Sequence, residues 1–102
     1  MDIFPTSTTE LAHAVLPCAS FAESDGTFTS SERRVQRVRK ALEPIAGKAN
    51  WQIIQDLSSL MGYPMSYGSS GDIFNEMASL TPSYAGISYP RIDNCGLSWP
   101  CP

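Results

Sequence analysis

Residues 21–40 read FAESDGTFTSSERRVQRVRK, and the fold turns on how the second half of this stretch is built. Ser24-Asp25-Gly26 is a turn signal. Thr27-Phe28-Thr29 pairs β-branched residues with an aromatic, which suits a pleated surface. From Arg33 onward two periods compete. Val35, Val38 and Leu42 stand at helical spacing, yet Val35-Gln36-Arg37-Val38 also suits a strand. The residues alone leave both open.

The stretch holds five of the seven Lys and Arg residues of the 102-residue chain. Net charge is −3, so no global basic field draws nucleic acid. Arg33 to Lys40 could contact phosphates. Phe21 and Phe28 lie upstream, but no aromatic interleaves with the basic residues as a stacking platform requires. A salt-bridged or solvated strand face is the better reading, and no nucleic-acid partner is expected. Glu23 and Asp25 are a candidate carboxylate pair for acid–base work. As two acids in a turn they read instead as solvated.

Outward from this stretch the chain is globular in composition, with 42% hydrophobic and 17% charged residues. Its length bounds it at one domain, 1–102, with an aromatic and proline-rich tail over 83–102. No apolar run approaches the roughly 18 residues of a membrane span. MDIFPTSTTE has neither the basic nor the apolar region of a signal peptide, so a cytoplasmic location is expected. Cys18, Cys95 and Cys101 have neither disulfide-framework nor metal-knuckle spacing and read as free thiols. His13 is the sole histidine. No GxSxG, GxGxxG or GxxxxGK[ST] is present, which removes a standard hydrolase elbow and standard phosphate loops.

Upstream, Ser7 and Glu10 fit a capping box opening a short helix that ends near His13. Ala14-Val15-Leu16, stopped by Pro17, reads as a short buried strand. Such a strand needs sheet neighbours that this chain hardly offers. Downstream, Asn50 is placed to cap a helix whose apolar face is Ile53, Ile54, Leu57, Leu60 and Met61. Gly62 and Pro64 end it. Ser69 or Ser70 opens a second helix, with Asp72 in its first turn and Ile73, Phe74, Met77 and Leu80 as its stripe. Thr81-Pro82 stops that helix, and Ser88 caps one more short turn closed by Gly96. The class is α+β or a piece of α/β.

Four blocks, in order, resemble one known family. DIFPTSTTELAHAVLP resembles a strand-end aspartate, a threonine-rich turn and an ADVVLP strand. ASFAESDGTFTSSERRVQRVRKAL resembles an F-x-E-x-x-G-T-F-T-N-x-E-R-R-x-Q block. NWQIIQDLSSLMGYPMSY resembles a DW-x-I-I helix and its following turn. GISYPRIDNCGLSWPCP resembles a segment ending in WPCP. Together they cover the whole chain and resemble an internal segment of the catalytic subunit of molybdenum- or tungsten-dependent formate dehydrogenases. These belong to the bis-molybdopterin guanine dinucleotide oxidoreductases.

The resemblance implies a fragment of a doubly wound α/β domain: a short buried strand, an irregular hairpin region and two amphipathic helices. It favours strand over helix at Val35–Val38. It implies two-electron oxidation of formate to carbon dioxide at Mo or W, held by two dithiolenes and a protein selenocysteine or cysteine, with His and Arg assisting. It also implies an iron–sulfur cluster on an N-terminal four-cysteine motif. None of those catalytic elements lies in this chain, so the chain alone is expected to be inactive. Its partners would be the remainder of the catalytic subunit and iron–sulfur electron-transfer subunits. A non-catalytic interaction or regulatory module derived from the family is the alternative.

What the resemblance carries over is cofactor contact. Asp2 matches the acidic residue that meets the guanine nucleotide. Ser24 matches a position often Lys or His near the dinucleotide, and Asn50 matches the Asp of DW. Serine removes a cation that would pair with phosphate. Asparagine removes a charge and adds a donor. His13 stands where relatives carry the Asp before the strand, and Met1 where they carry a polar residue.

Overall fold

The competition over residues 33–42 resolves as a strand at Arg34–Val38. In a computed structural model that describes residues 1–102, β1 (Gly26–Thr29) and β2 (Arg34–Val38) form an antiparallel hairpin with Phe28 opposite Gln36. The hairpin loop closes through Ser30 and Arg34, with Arg33 in the left-handed region at φ 61°. Val35 on β2 is 1% exposed, while Gln36 beside it is exposed. That is the period of two of a strand with one buried face.

The chain separates into two compact units, one of residues 1–24 and 40–65, the other of residues 25–39 and 66–102. In the first unit, α1 (Ser7–Leu11) is capped by Thr6. Thr9 N–H donates to the Thr6 hydroxyl and Thr6 N–H to the Thr9 hydroxyl. The cap therefore lies one residue earlier than the Ser7/Glu10 reading, because the Thr6 and Thr9 hydroxyls satisfy two N–H groups reciprocally.

The expected strand at Ala14–Leu16 does not form. Ala14 and Val15 are exposed, and the only pairing is a single parallel bridge between Asp2 and Pro17. Asp2 N–H donates to Leu16 C=O at 3.3 Å, and Cys18 N–H to Asp2 C=O at 3.1 Å. One neighbouring residue cannot complete a ladder, and Pro17 has no N–H to offer.

Helix α2 (Asn50–Leu60) begins with Ala49, not Asn50, at its N-cap. The Gln52 side chain accepts from Ala49 N–H and supplies the N-terminal bond instead. Its end is a Schellman turn as the Gly62 reading requires: Gly62 has φ 87°, its N–H donates to Ser59 C=O, and Tyr63 N–H donates to Ser58 C=O. The expected apolar face is not buried. Ile54, Leu57, Leu60 and Met61 are exposed and Ile53 half-buried.

The second unit holds the core: Val35, Phe74, Ala78, Ile87 and Ile92, with Tyr84, Tyr89, Leu97, Trp99 and Cys101 packed against it. Helix α3 (Ser70–Leu80) is capped by the Ser69 hydroxyl, which accepts from Asp72 N–H. Its buried positions are Phe74 and Ala78, four apart. Met77 and Leu80 of the expected stripe are exposed. A 3₁₀ turn at Pro82–Tyr84 and the short helix α4 (Tyr89–Ile92) follow, and β3 (Leu97–Ser98) pairs antiparallel with β2.

The proline-rich tail is thus part of this unit's own core. Gly86 N–H donates to Cys101 C=O at 2.7 Å, Cys101 N–H to Ser83 C=O at 2.8 Å, and Trp99 Nε1–H to the Ser83 hydroxyl at 3.1 Å. Trp99–Pro100 is a cis peptide. Four helices and a three-stranded antiparallel sheet make the chain mixed α/β.

Candidate functional site

Asp2 sits where the chain offers concave surface. Its carboxylate folds back on the backbone: Oδ1 accepts from Ile3 N–H at 2.8 Å, and Oδ2 meets the Thr6 hydroxyl at 3.5 Å. Two clefts of about 480 Å³ each open beside the Asp2–Pro17 bridge, and Asp2, Ile3, Phe4 and Pro17 line both. The first continues along Thr9, Glu10 and Val15. The second continues along Cys18, Ser20, Glu23, Leu42 and Ile45. No Lys or Arg lines either.

The second cleft has the more firmly built wall. A 3₁₀ turn at Phe21–Glu23 brings the Glu23 carboxylate back over its own start. One oxygen accepts from Ser20 N–H at 2.7 Å and the other from Ile45 N–H at 2.8 Å. Glu23 is 7% exposed. Its acidity follows from these bonds: the Ser20 backbone N–H, then the Ile45 N–H, then the Ser20 side chain hold the carboxyl below its ordinary value, against desolvation. Glu23 is therefore not the solvated acid the sequence suggested. A buried carboxylate with two fixed N–H donors is a structural tie, and the other acid of the pair, Asp25, joins Arg37 instead.

The other two residues picked from sequence face the backbone. The Ser24 hydroxyl donates to Ser20 C=O at 2.7 Å. The Asn50 amide makes two bonds to one residue: its Oδ1 accepts from Ala19 N–H at 2.7 Å, and its Nδ2 donates to Ala19 C=O at 3.1 Å. Of Asp2, Ser24 and Asn50, only Asp2 lines these two clefts.

The basic run does not form a free patch. Arg37 reaches Asp25 at 3.1 Å and Asp93 at 3.5 Å, Arg39 reaches Asp93 at 3.0 Å, and Lys40 reaches Glu43 at 2.8 Å. Arg34 donates to Gly96 C=O at 2.9 Å. The three cysteines are free thiols, and no group of three or more His, Cys, Asp or Glu side chains could hold a metal ion. No helix is long and apolar enough to cross a membrane.

With the bridge, the acidic cleft and the hairpin in place, comparison with known proteins is direct. Residues 1–60 match the profile of the molybdopterin oxidoreductases. The chain belongs to the molybdopterin oxidoreductase family. Among its relatives, the F420-dependent formate dehydrogenase 2 subunit alpha of Methanococcus maripaludis is 50% identical over 98% of this chain, which covers 15% of that subunit. The F420-dependent formate dehydrogenase subunit alpha of Methanocaldococcus jannaschii matches at the same identity and coverage. A putative formate dehydrogenase of Staphylococcus aureus is 44% identical over 97% of this chain and 10% of its own length. This molybdopterin oxidoreductase chain thus spans a small part of the relatives it matches.

The sequence marked Cys18 as a free thiol only, and it did not mark Cys18 or Ser20 as lining a cleft or Glu23 as buried. A signal was present in Glu23, three residues after Ser20, which is the spacing at which a carboxylate turns back to a preceding N–H.

Proposed function

We propose that this chain forms one wall of the pocket for a molybdopterin guanine dinucleotide in a formate dehydrogenase catalytic subunit, and supplies no residue to the bond-breaking step. The 50% identity to formate dehydrogenase alpha subunits along nearly the whole chain carries this reading. When bound, the cofactor supplies the Mo or W centre that takes two electrons from formate as it becomes carbon dioxide.

The residues present fit the guanosine end of such a cofactor. Asp2 Oδ2 has only a 3.5 Å contact and keeps acceptor capacity at the cleft lip. A guanine edge offers two adjacent N–H donors to such a carboxylate, and a ribose offers hydroxyls. Phe4, Pro17, Leu42 and Ile45 give apolar surface for the flat faces of a base. The pyrophosphate fits less well. No cation lines the cleft, and Ser24 stands where the family resemblance implies one. Ser24 and Asn50 bear on the nucleotide through the backbone they hold. The remaining partners of the reading are the rest of the catalytic subunit and iron–sulfur electron-transfer subunits, in the cytoplasm.

The test is a titration of the full chain with guanosine diphosphate, followed by amide chemical shifts. Shifts should centre on Asp2, Ile3, Cys18 and Ser20, and Asp2→Ala should weaken binding roughly ten-fold, or about 1.4 kcal/mol. Shifts confined to Arg33–Lys40 would overturn the assignment. The chain alone should hold no stoichiometric molybdenum or tungsten and should not oxidise formate.

The alternative reading, a non-catalytic interaction module, is favoured by one observation: the exposed apolar side of α2 at Ile54, Leu57, Leu60 and Met61. Complementation separates the two. Co-expression with the remaining parts of a relative's alpha subunit restores formate oxidation under the first reading and leaves it absent under the second.

A further inference from the structure

Six polar groups of the short segment from Leu16 to Ser20 are fixed by hydrogen bonds. Asp2 takes Leu16 C=O and Cys18 N–H. Asn50 takes both Ala19 N–H and Ala19 C=O. Glu23 takes Ser20 N–H, and the Ser24 hydroxyl takes Ser20 C=O. The Asn50 amide thus pairs with Ala19 as a neighbouring strand would, donor to acceptor and acceptor to donor. An aspartate there could accept from Ala19 N–H but would set a second oxygen against the Ala19 carbonyl. Ala19 is 5% exposed, so either of its groups left unpaired carries a desolvation cost.

We propose that Asn50 and Glu23 are positioning residues that hold the Ala19–Ser20 backbone, and so present Cys18 and Ser20 to the cleft, without bonding its ligand themselves. This rests on the reading that a guanosine nucleotide occupies the cleft. Asn50 commits its amide oxygen and one amide N–H to Ala19, and it does not line the cleft. Glu23 likewise spends one oxygen on Ser20 and one on Ile45, tying the wall to the loop that carries Leu42 and Ile45. The side chain with free capacity on this wall is the Cys18 thiol, with Asp2 at the lip, while the Ser20 hydroxyl lines the cleft and bonds the Glu23 carboxylate.

Amide hydrogen exchange on the full chain, with guanosine diphosphate as the binding probe, tests the assignment. Asn50→Ala should speed exchange at Ala19 at least about ten-fold while Phe74 and Ala78 in α3 keep their rates. Glu23→Ala should do the same at Ser20 and Ile45. Both should weaken the probe by roughly five-fold or more. Asn50→Asp, which is gentler, should keep Ala19 N–H protected and should not tighten the probe. Loss of the probe with Ala19 and Ser20 exchange unchanged would place Asn50 or Glu23 on the ligand and overturn the proposal. So would tighter binding by Asn50→Asp. A wild-type chain that does not bind guanosine diphosphate would overturn the nucleotide reading alone, since the exchange pattern decides the positioning role without a ligand.

Discussion

The guanidinium carbon of Arg37 lies 3.7 Å from the centre of the Tyr89 ring, so a strand of the basic run is locked to α4 by a cation on an aromatic face. The same guanidinium reaches Asp25, Gly26 C=O and Asp93, and the side chain is 11% exposed. Its Nε sits within reach of Asp93 without a well-formed hydrogen bond. The two carboxylates are half-exposed, so each ion pair by itself is worth little. The stacked, desolvated cation carries more, up to about 2 kcal/mol. Arg37→Met, which keeps an aliphatic stem, should therefore lower stability by about 1–2 kcal/mol in denaturant titration. Arg37→Lys should recover little of it, because an ammonium is not planar. A lysine variant as stable as wild type would show that charge alone is at work.

Gly96 is a close-approach position. A Cβ there would stand 2.7 Å from Arg34 Cγ, Gln36 Cγ and Val35 C=O. The carbonyl belongs to the central strand and cannot yield. Gly96→Ala should cost about 1–3 kcal/mol as overpacking, seen as a lower melting temperature. Gly26→Ala is the control, since nothing lies within 4 Å of its Cβ. It should change stability by no more than about 0.5 kcal/mol. Equal losses at the two glycines would contradict the close-approach argument.

What could be read from sequence followed from local chemistry. The Gly62 stop, the Ser69 cap and the Thr27–Thr29 strand each depend on neighbours within a few residues, and each stands in the structure. What could not be read depended on distant partners. Glu23 looked solvated because Ile45 N–H, which buries it, lies 22 residues away. Asn50 looked like a cap because its partner Ala19 lies 31 residues away. The α2 pattern announced an apolar face, and periodicity alone does not say whether anything within the same chain covers it. Asp2 carried its signal only through family resemblance; an aspartate beside Ile-Phe-Pro has no local pattern that marks a ligand.

That uncovered face gives a third prediction. Leu60 is 86% exposed and Met61 77% exposed. This surface is not part of the chain's own core, and contiguous exposed apolar surface commonly marks association. Leu60→Glu with Met61→Lys should leave the melting temperature of the chain within the range of about 0.5 kcal/mol expected of surface changes. Light scattering should show weaker self-association. In co-expression with the rest of a relative's alpha subunit, the same pair should reduce assembly. Unchanged assembly would remove α2 from the interface of the proposed subunit.

The last prediction concerns acid. Glu23 is held below the ordinary glutamate value near 4.5 by N–H donors from Ser20 and Ile45. Its folded value lies under its unfolded one, so the unfolded chain binds the proton first as pH falls. The stability that the carboxylate contributes is present above about pH 4.5 and is lost as pH drops through the depressed folded value. Glu23→Gln keeps one acceptor oxygen, sets an amide NH₂ against the other N–H, and does not titrate. Wild type should exceed the variant in stability at neutral pH, and the gap should narrow as pH falls below about 4.5. The other carboxylates are common to both proteins and cancel in the difference. Denaturant midpoints measured from neutral pH to below that value decide it: a gap that stays constant with pH would mean that Glu23 holds Ser20 and Ile45 through shape alone, with its charge contributing nothing.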